Sequence, residues 1–251
     1  GRNKNIMKII PAIDIQNGNC VRLKQGDFSQ ETIFHDNPVD MAKKWAEEGA
    51  ERLHLVDLDG ARLGSPVNIK IVSDICKSIP NIPIQIGGGI RDIETAERYL
   101  ETGASFIIIG TKAVEDPNFI KELCNKFPGK IIVGVDAKNG EVATDGWKSI
   151  SNRNVVELSK EFEGYGVTEI VYTDIEKDGM MKGLNINATL NLAKNVNIPI
   201  IASGGVSCIE DINQISAHIN SGISGIIIGR ALYEKKISIE EAKKIFSKLD
   251  L

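Results

Sequence analysis

Short apolar runs rich in β-branched residues recur eight times along the chain. Each is followed by a turn cluster and then by a stretch with apolar residues every third or fourth position. The runs are Lys8–Ile13, Arg52–Val56, Ile82–Ile86, Ser105–Ile109, Lys130–Val135, Glu169–Thr173, Ile198–Ala202 and Gly225–Ile228. They are apolar throughout rather than alternating, as strands covered on both faces are, so they predict a parallel sheet. The helical period runs over Val39–Glu48, Asn68–Ser78, Ile93–Glu101, Asn118–Lys126, Val155–Gly164, Ile186–Asn195, Ile209–Asn220 and Ile239–Leu249. Asp92 and Asp116-Pro117 read as helix starts, where a side-chain oxygen caps free N–H groups and proline fits the first turn. Gly49, Gly103 and Gly166 read as helix ends. Eight βα units in 251 residues fit a TIM (β/α)8 barrel better than a doubly wound open sheet.

An internal repeat strengthens this reading. Asp14-Ile15-Gln16-Asn17-Gly18 returns as Asp136-Ala137-Lys138-Asn139-Gly140, at an offset of 122 residues. Asp57 returns as Asp174 at an offset of 117, Gly88-Gly89 as Gly204-Gly205 at 116, and Ile107–Gly110 as Ile226–Gly229 at 119. The chain therefore reads as two half-barrels of four βα units each, with equivalent groups on opposite sides of one barrel mouth. The expected organisation is a single barrel domain over residues 7–251, with Gly1–Ile6 a tag remnant or unstructured segment ahead of Met7.

Composition narrows the class. Hydrophobic residues make up 42% and charged residues 25% of the chain, ordinary values for a folded protein with its own core. A net charge of −4 with interspersed signs argues against a nucleic-acid surface but leaves room for a local phosphate pocket. No apolar run is long enough to span a membrane. Cys20, Cys76, Cys124 and Cys208 have neither metal-site nor paired spacing, which fits a cytoplasmic protein without disulfides.

The candidate chemistry sits just beyond the strands, where a barrel places its active site. Asp14 and Asp136 follow the first and fifth strands and would face a ligand from opposite sides, one carboxyl as acid and one as base. Gly88 and Gly89 follow the third strand, and Gly204 and Gly205 the seventh. Gly110-Thr111 and Gly229-Arg230 follow the fourth and eighth, with a short extra helix expected at Ala231–Glu234. Such turns let backbone N–H groups approach an anion, and their symmetric placement predicts a small ligand carrying a phosphate at each end. Arg22 and Arg91 are placed to meet it, and Trp147 to stack on a flat ring. Asp57, Asp59, Thr144, Asp145, Thr173 and Asp178 are further polar residues on the same loops. Gly18, Gly26, Gly140 and Gly146 would hinge loops one and five. His35, His54 and His218 are not spaced as metal ligands and read as structural. Without a nucleotide fingerprint or catalytic triad, no metal and no cofactor are expected.

Taken together, Pro11–Ile15, Val21-Arg22-Leu23 with Gly26-Asp27, His54–Ala61, Gly87–Arg91 and Tyr172–Gly179 resemble the HisA family. Its members are the phosphoribosylformimino-5-aminoimidazole carboxamide ribotide isomerases of histidine biosynthesis. The similarity runs from about Lys8 to Phe246. The resemblance implies an aldose–ketose isomerase performing an Amadori rearrangement, ProFAR to PRFAR, on a bis-phosphorylated substrate, without an obligate protein partner. It implies Asp136 as general acid in ring opening, Asp14 as the base at C2, Thr173 and Asp178 in support, and Trp147 stacked on the carboxamide imidazole. The cyclase subunit of imidazole glycerol phosphate synthase shares both aspartates, but it usually has Lys where Arg22 stands here. A bifunctional isomerase would take phosphoribosylanthranilate as well, by the same Amadori steps. From a different class, a catalytically silent barrel would bind phosphate and do no chemistry.

Overall fold

The computed structural model describes residues 7–24, 27–144, 149–178 and 183–247. Eight parallel strands form the ring: β1 (Lys8–Gln16), β2 (Leu53–Asp57), β3 (Ile84–Gly87), β4 (Phe106–Ile109), β5 (Ile131–Lys138), β6 (Glu169–Asp174), β7 (Ile200–Ser203) and β8 (Ile223–Ile228). Each strand pairs with the next, and β8 pairs back onto β1, so the sheet closes on itself without a free edge. Between the strands run α1 (Pro38–Glu47), α2 (Ile69–Ser78), α3 (Ile93–Glu101), α4 (Pro117–Lys126), α5 (Val155–Glu161), α6 (Ile186–Asn195) and α7 (Ile209–Ser216), with α8 (Ile239–Ser247) closing the chain. This is the (β/α)8 barrel that the pattern of apolar runs predicts.

Two apolar layers hold it together. The larger lies between the sheet and the helices and includes Ile13, Trp45, Leu55, Ile75, Tyr99 and Phe162. The smaller fills the barrel lumen with Ile10, Ile108, Ile132, Val171, Ile201 and Ile227. Burial of each such side chain is worth roughly 1.5–3 kcal/mol. Because both faces of every strand are covered, the strands carry none of the alternation that marks a half-exposed sheet.

Helix ends follow the expected chemistry with one exception. Asp92 accepts the Thr95 N–H at 2.7 Å and caps α3, and Gly49, Gly103 and Gly166 all take φ of 103°. Asp116 precedes Pro117 as expected but makes no side-chain cap bond. It is shared between two helices: its N–H closes the turn Thr111–Glu115 on Lys112 O, while its carbonyl accepts the Phe119 N–H. Helices α5 and α7 stop short of the expected Gly164 and Asn220, because their last N–H groups turn to i−3 partners, Tyr165 to Phe162 and His218 to Ile215.

Four further strands go beyond what the apolar pattern predicts. Asn19–Lys24 and Asp27–His35 extend β1 as an antiparallel excursion, and Glu141–Thr144 and Ser149–Asn154 do the same for β5. Gly18 and Gly140, where hinges are expected, are the second residues of two-residue hairpin turns, Asn17-Gly18 with φ of 50° and 79° and Asn139-Gly140 with 52° and 78°. Gly26 and Gly146 lie outside the described residues.

Candidate functional site

A cavity of about 1110 Å³ opens at the C-terminal ends of the strands. Of the proposed acid, base and ligand-binding residues, all but Trp147 line it; Trp147, like Asp145, lies outside the described residues.

Asp14 stands near the end of β1 and Asp136 near the end of β5, four strands apart either way round the ring. Thr173 lies beside Asp136 in register on β6. The chain then turns, with the Asp178 N–H bound to Asp174 O at 3.0 Å, which brings Asp178 back into the same cavity. Burial pushes the Asp14 carboxyl up to about 7, with a further contribution from the charge of Asp178. Asp178 is also pushed up to about 7, by burial and then by the charge of Asp136. Asp14, Asp178 and Asp136 thus line one cavity, and proton uptake and release by Asp14 and Asp178 are moved toward neutrality.

The glycine turns are built alike on the two sides. A Cβ on Gly88 would stand 2.3 Å from Asp57 O, and one on Gly204 would stand 2.9 Å from Asp174 O. With φ of 134° and 99°, both positions require glycine. Beneath them, Asp57 and Asp174 act as anchors. Asp57 accepts from the backbone of Gly60, Val67 and Asn68 and from the side chains of Asn68 and Tyr99. Asp174 accepts from Glu176 N–H, Lys177 N–H and Asn185 Nδ2. Asp59, buried, accepts from Asn17 N–H and Asn68 Nδ2. Asp57 and Asp59 therefore hold the loop scaffold, and neither lines the cavity; nor does Thr144.

Gly110 and Gly229 share one backbone conformation, φ −100° and ψ −104° against φ −108° and ψ −102°. Each stands before a short helix, Thr111–Glu115 and Arg230–Tyr233. The second is the expected extra helix, beginning one residue earlier than the sequence suggests. The two glycine-rich corners therefore repeat in geometry as well as in sequence. Arg22, on the first excursion strand, and Arg230 both line the cavity. Burial lowers the Arg22 guanidinium from its usual value, and the nearby charge of Arg230 lowers it further. Arg230 Nε donates to Glu234 Oε1 at 2.8 Å, and that carboxylate offsets part of the positive charge; the net charge left in the corner still favours an anionic guest. Phe34 stacks on Tyr233 at 4.3 Å, and the Tyr233 hydroxyl donates to Ala12 O at 3.0 Å, tying the excursion to the barrel rim. Arg91 follows its glycine turn and remains exposed.

His54, structural by its spacing in the sequence, faces the lumen and lines the cavity floor. Its neighbours in that role are the apolar Ile108, Val171 and Ile227. The sequence carries a signal for this, since Arg52, His54 and Val56 fall on one face of β2 at every second position. Burial lowers the His54 imidazole to about 4.

Among the described residues no cluster of three or more His, Cys, Asp or Glu side chains could hold a metal ion. No helix there is long and apolar enough to cross a membrane.

Residues 8–238 match the profile of a family described as "Histidine biosynthesis protein". The chain is similar to the protein named 1-(5-phosphoribosyl)-5-((5-phosphoribosylamino)methylideneamino) imidazole-4-carboxamide isomerase in Thioalkalivibrio sulfidiphilus, at 52% identity over 95% of this chain and 99% of the relative. Proteins of the same name are 53% identical in Ruthia magnifica and 54% identical in Marinobacter nauticus, covering 95% and 94% of this chain and 98% and 97% of theirs.

Proposed function

The chain belongs to the histidine biosynthesis protein family, and from that premise we propose that it is an aldose–ketose isomerase. It converts the N-linked aminoaldose ribotide ProFAR to the aminoketose PRFAR by an Amadori rearrangement. The observation that carries this reading is the placement of Asp14 and Asp136 across one cavity, between two symmetric glycine-rich corners. A substrate with a phosphate at each end spans such a cavity, with its reacting sugar held between the carboxyls.

Ring opening comes first and needs a proton at the furanose oxygen. Asp136 supplies it together with Asp178, whose carboxyl stays protonated near neutrality through its burial and the charge of Asp136 close by. The pair behaves as one acid holding one proton. Asp14 then takes the proton from C2 of the Schiff base. A carboxyl pushed up to about 7 is a stronger base than an ordinary aspartate and is still ionised in part at neutral pH, which suits a weakly acidic carbon. Thr173, beside Asp136, orients the sugar. The backbone of Gly88, Gly89 and Gly110-Thr111 holds one phosphate, and that of Gly204, Gly205 and Gly229-Arg230 the other, with Arg22 and Arg91 adding charge. Trp147 stacks on the carboxamide imidazole. The protein works in the cytoplasm without cofactor or obligate partner.

A spectrophotometric assay with the aminoaldose ribotide tests this, run beside phosphoribosylanthranilate and beside the aminoketose supplied with ammonia. Turnover of the aminoaldose is the expected result. Additional turnover of the anthranilate would make the enzyme bifunctional. Cyclisation of the aminoketose, without isomerisation, would assign the chain to the cyclase branch instead.

A further inference from the structure

Tyr233 ends the short helix Arg230–Tyr233, which leaves the second glycine-rich corner, and its side chain returns from there to the strand that carries Asp14. The Tyr233 hydroxyl donates to Ala12 O at 3.0 Å. Ala12 and Asp14 follow one another on the same face of β1, and both line the cavity.

The register shows why β1 needs a partner at that point. Along one edge it is held by β2, from Ala12–His54 to Ile15–Asp57. Along the other edge the pairs with β8 stop at Pro11–Ile228, and pairing resumes at Asp14–Val21 with the excursion strand Asn19–Lys24. Ala12 and Ile13 fall between these two ladders. Pro11 has no N–H to add, and β8 itself ends at Ile228, with Gly229 turning the chain out of the sheet. The Tyr233 phenol closes the gap with a side-chain bond just before the base. Burial holds that phenol well above its usual value, so it stays a donor across the pH range of activity.

The ring makes a second set of contacts. Phe34, on the excursion strand Asp27–His35, stacks on it at 4.3 Å and 6°, and the buried Trp45 of α1 meets it edge-on at 5.3 Å and 78°. Strand Asp27–His35 in turn pairs with the strand that carries Arg22, with Arg22 opposite Thr32. One side chain thus joins the phosphate corner, the strand that holds the base and the excursion that holds Arg22.

We propose that Tyr233 is a positioning residue with two separable roles: its hydroxyl fixes Asp14 against C2 by way of the Ala12 carbonyl, and its ring fixes the excursion that brings Arg22 to the ligand. The proposal rests on the isomerase reading. Tyr233 exchanges no proton with the substrate. The hydroxyl bears on kcat, because a base misplaced by about 1 Å loses up to about 100-fold in rate. The ring bears on KM, because Arg22 meets an anionic group that is the same in substrate and transition state, and loosening such a contact weakens both equally.

Variants shown by circular dichroism to be folded separate the two roles, in steady-state turnover of the aminoaldose ribotide and in its inhibition by inorganic phosphate. Tyr233→Phe keeps the ring and loses the hydroxyl. Its kcat is expected to fall about tenfold, with KM and the phosphate inhibition constant within about twofold of wild type. Phe34→Leu keeps the hydroxyl and loses the stack, and its KM is expected to rise about fivefold with kcat nearly unchanged. Tyr233→Leu should show both losses. A kcat within about twofold of wild type in Tyr233→Phe, a fall in its kcat matched by an equal loss of phosphate inhibition, or a Phe34→Leu that lowers kcat and spares KM would overturn the proposal. Tyr233→Phe and Phe34→Leu are read independently, so the test stands even if Tyr233→Leu fails to fold. A wild type that does not turn over the aminoaldose would overturn the isomerase reading, and this proposal with it.

Discussion

Asp178 bears on Asp14 from across the mouth: its charge raises the Asp14 carboxyl beyond what burial does, and Asp136 does the same to Asp178. The cavity therefore stores electrostatic strain where the chemistry is proposed.

The strain has a measurable cost in stability. Both carboxyls rise from 3.8 to about 7 on folding, so the folded state binds more protons than the unfolded one between those values, and stability falls as pH rises through the window. Asp14→Asn or Asp178→Asn removes a group that must ionise in a crowded site. Each variant is expected to melt higher than wild type at pH 8, by on the order of 2 kcal/mol after allowing for the solvent that reaches the cavity. At pH 4 the difference should vanish. Thermal unfolding at the two values checks this, and an equal or lower melting temperature at pH 8 would contradict it.

Activity follows the same groups. With the base needing to be ionised and the acid protonated near the same pH, kcat/KM is expected to follow a narrow bell centred near 7. Asp136→Asn removes the charge that raises Asp178, so in the residual activity the basic limb should move to lower pH. A pH profile of the variant decides it, and an unmoved basic limb would separate Asp178 from the acid.

The anchors beneath the glycine turns give a stability prediction that spares the chemistry. Asp57 binds three backbone N–H groups and two side-chain donors. Its replacement by alanine orphans them all and is expected to cost about 3–5 kcal/mol. Asn185→Ala removes one bond to Asp174 and the cap on Ala188 N–H, for a cost of about 1–3 kcal/mol. Denaturant unfolding measures both, and losses in the reverse order would refute the comparison.

Gly88 and Gly204 should differ in degree. Alanine at 88 would press within 2.3 Å of a backbone carbonyl, against 2.9 Å at 204, so Gly88→Ala should displace its turn further. Both variants are expected to raise KM for the aminoaldose more than they lower kcat, with Gly88→Ala the more affected. Steady-state kinetics on folded protein test the order.

What is legible in the sequence, and what is hidden, follow from the same physics. Strands buried on both faces announce themselves by unbroken apolar runs such as Ile131–Val135, and duplicated corners by the offset of Asp14 and Asp136. The excursion strands do not, because Asp27–His35 is half exposed, and its side chains neither alternate nor cluster. Their only local mark is Asn17-Gly18 and Asn139-Gly140, a hairpin signal that in the sequence looks the same as a loop hinge. A lone histidine such as His54 has no partner in sequence. Its partners, Gln85 and through it Arg52 and Glu169, come from three places in the chain and meet only when the barrel closes.

The most direct measurement is turnover of the aminoaldose ribotide by wild type, Asp14→Asn and Asp136→Asn, each shown by circular dichroism to be folded. A positioned acid or base contributes roughly 10²–10⁴-fold, so both variants should fall by at least the lower figure while still binding the substrate. If either one keeps wild-type kcat, the two-carboxyl account is wrong.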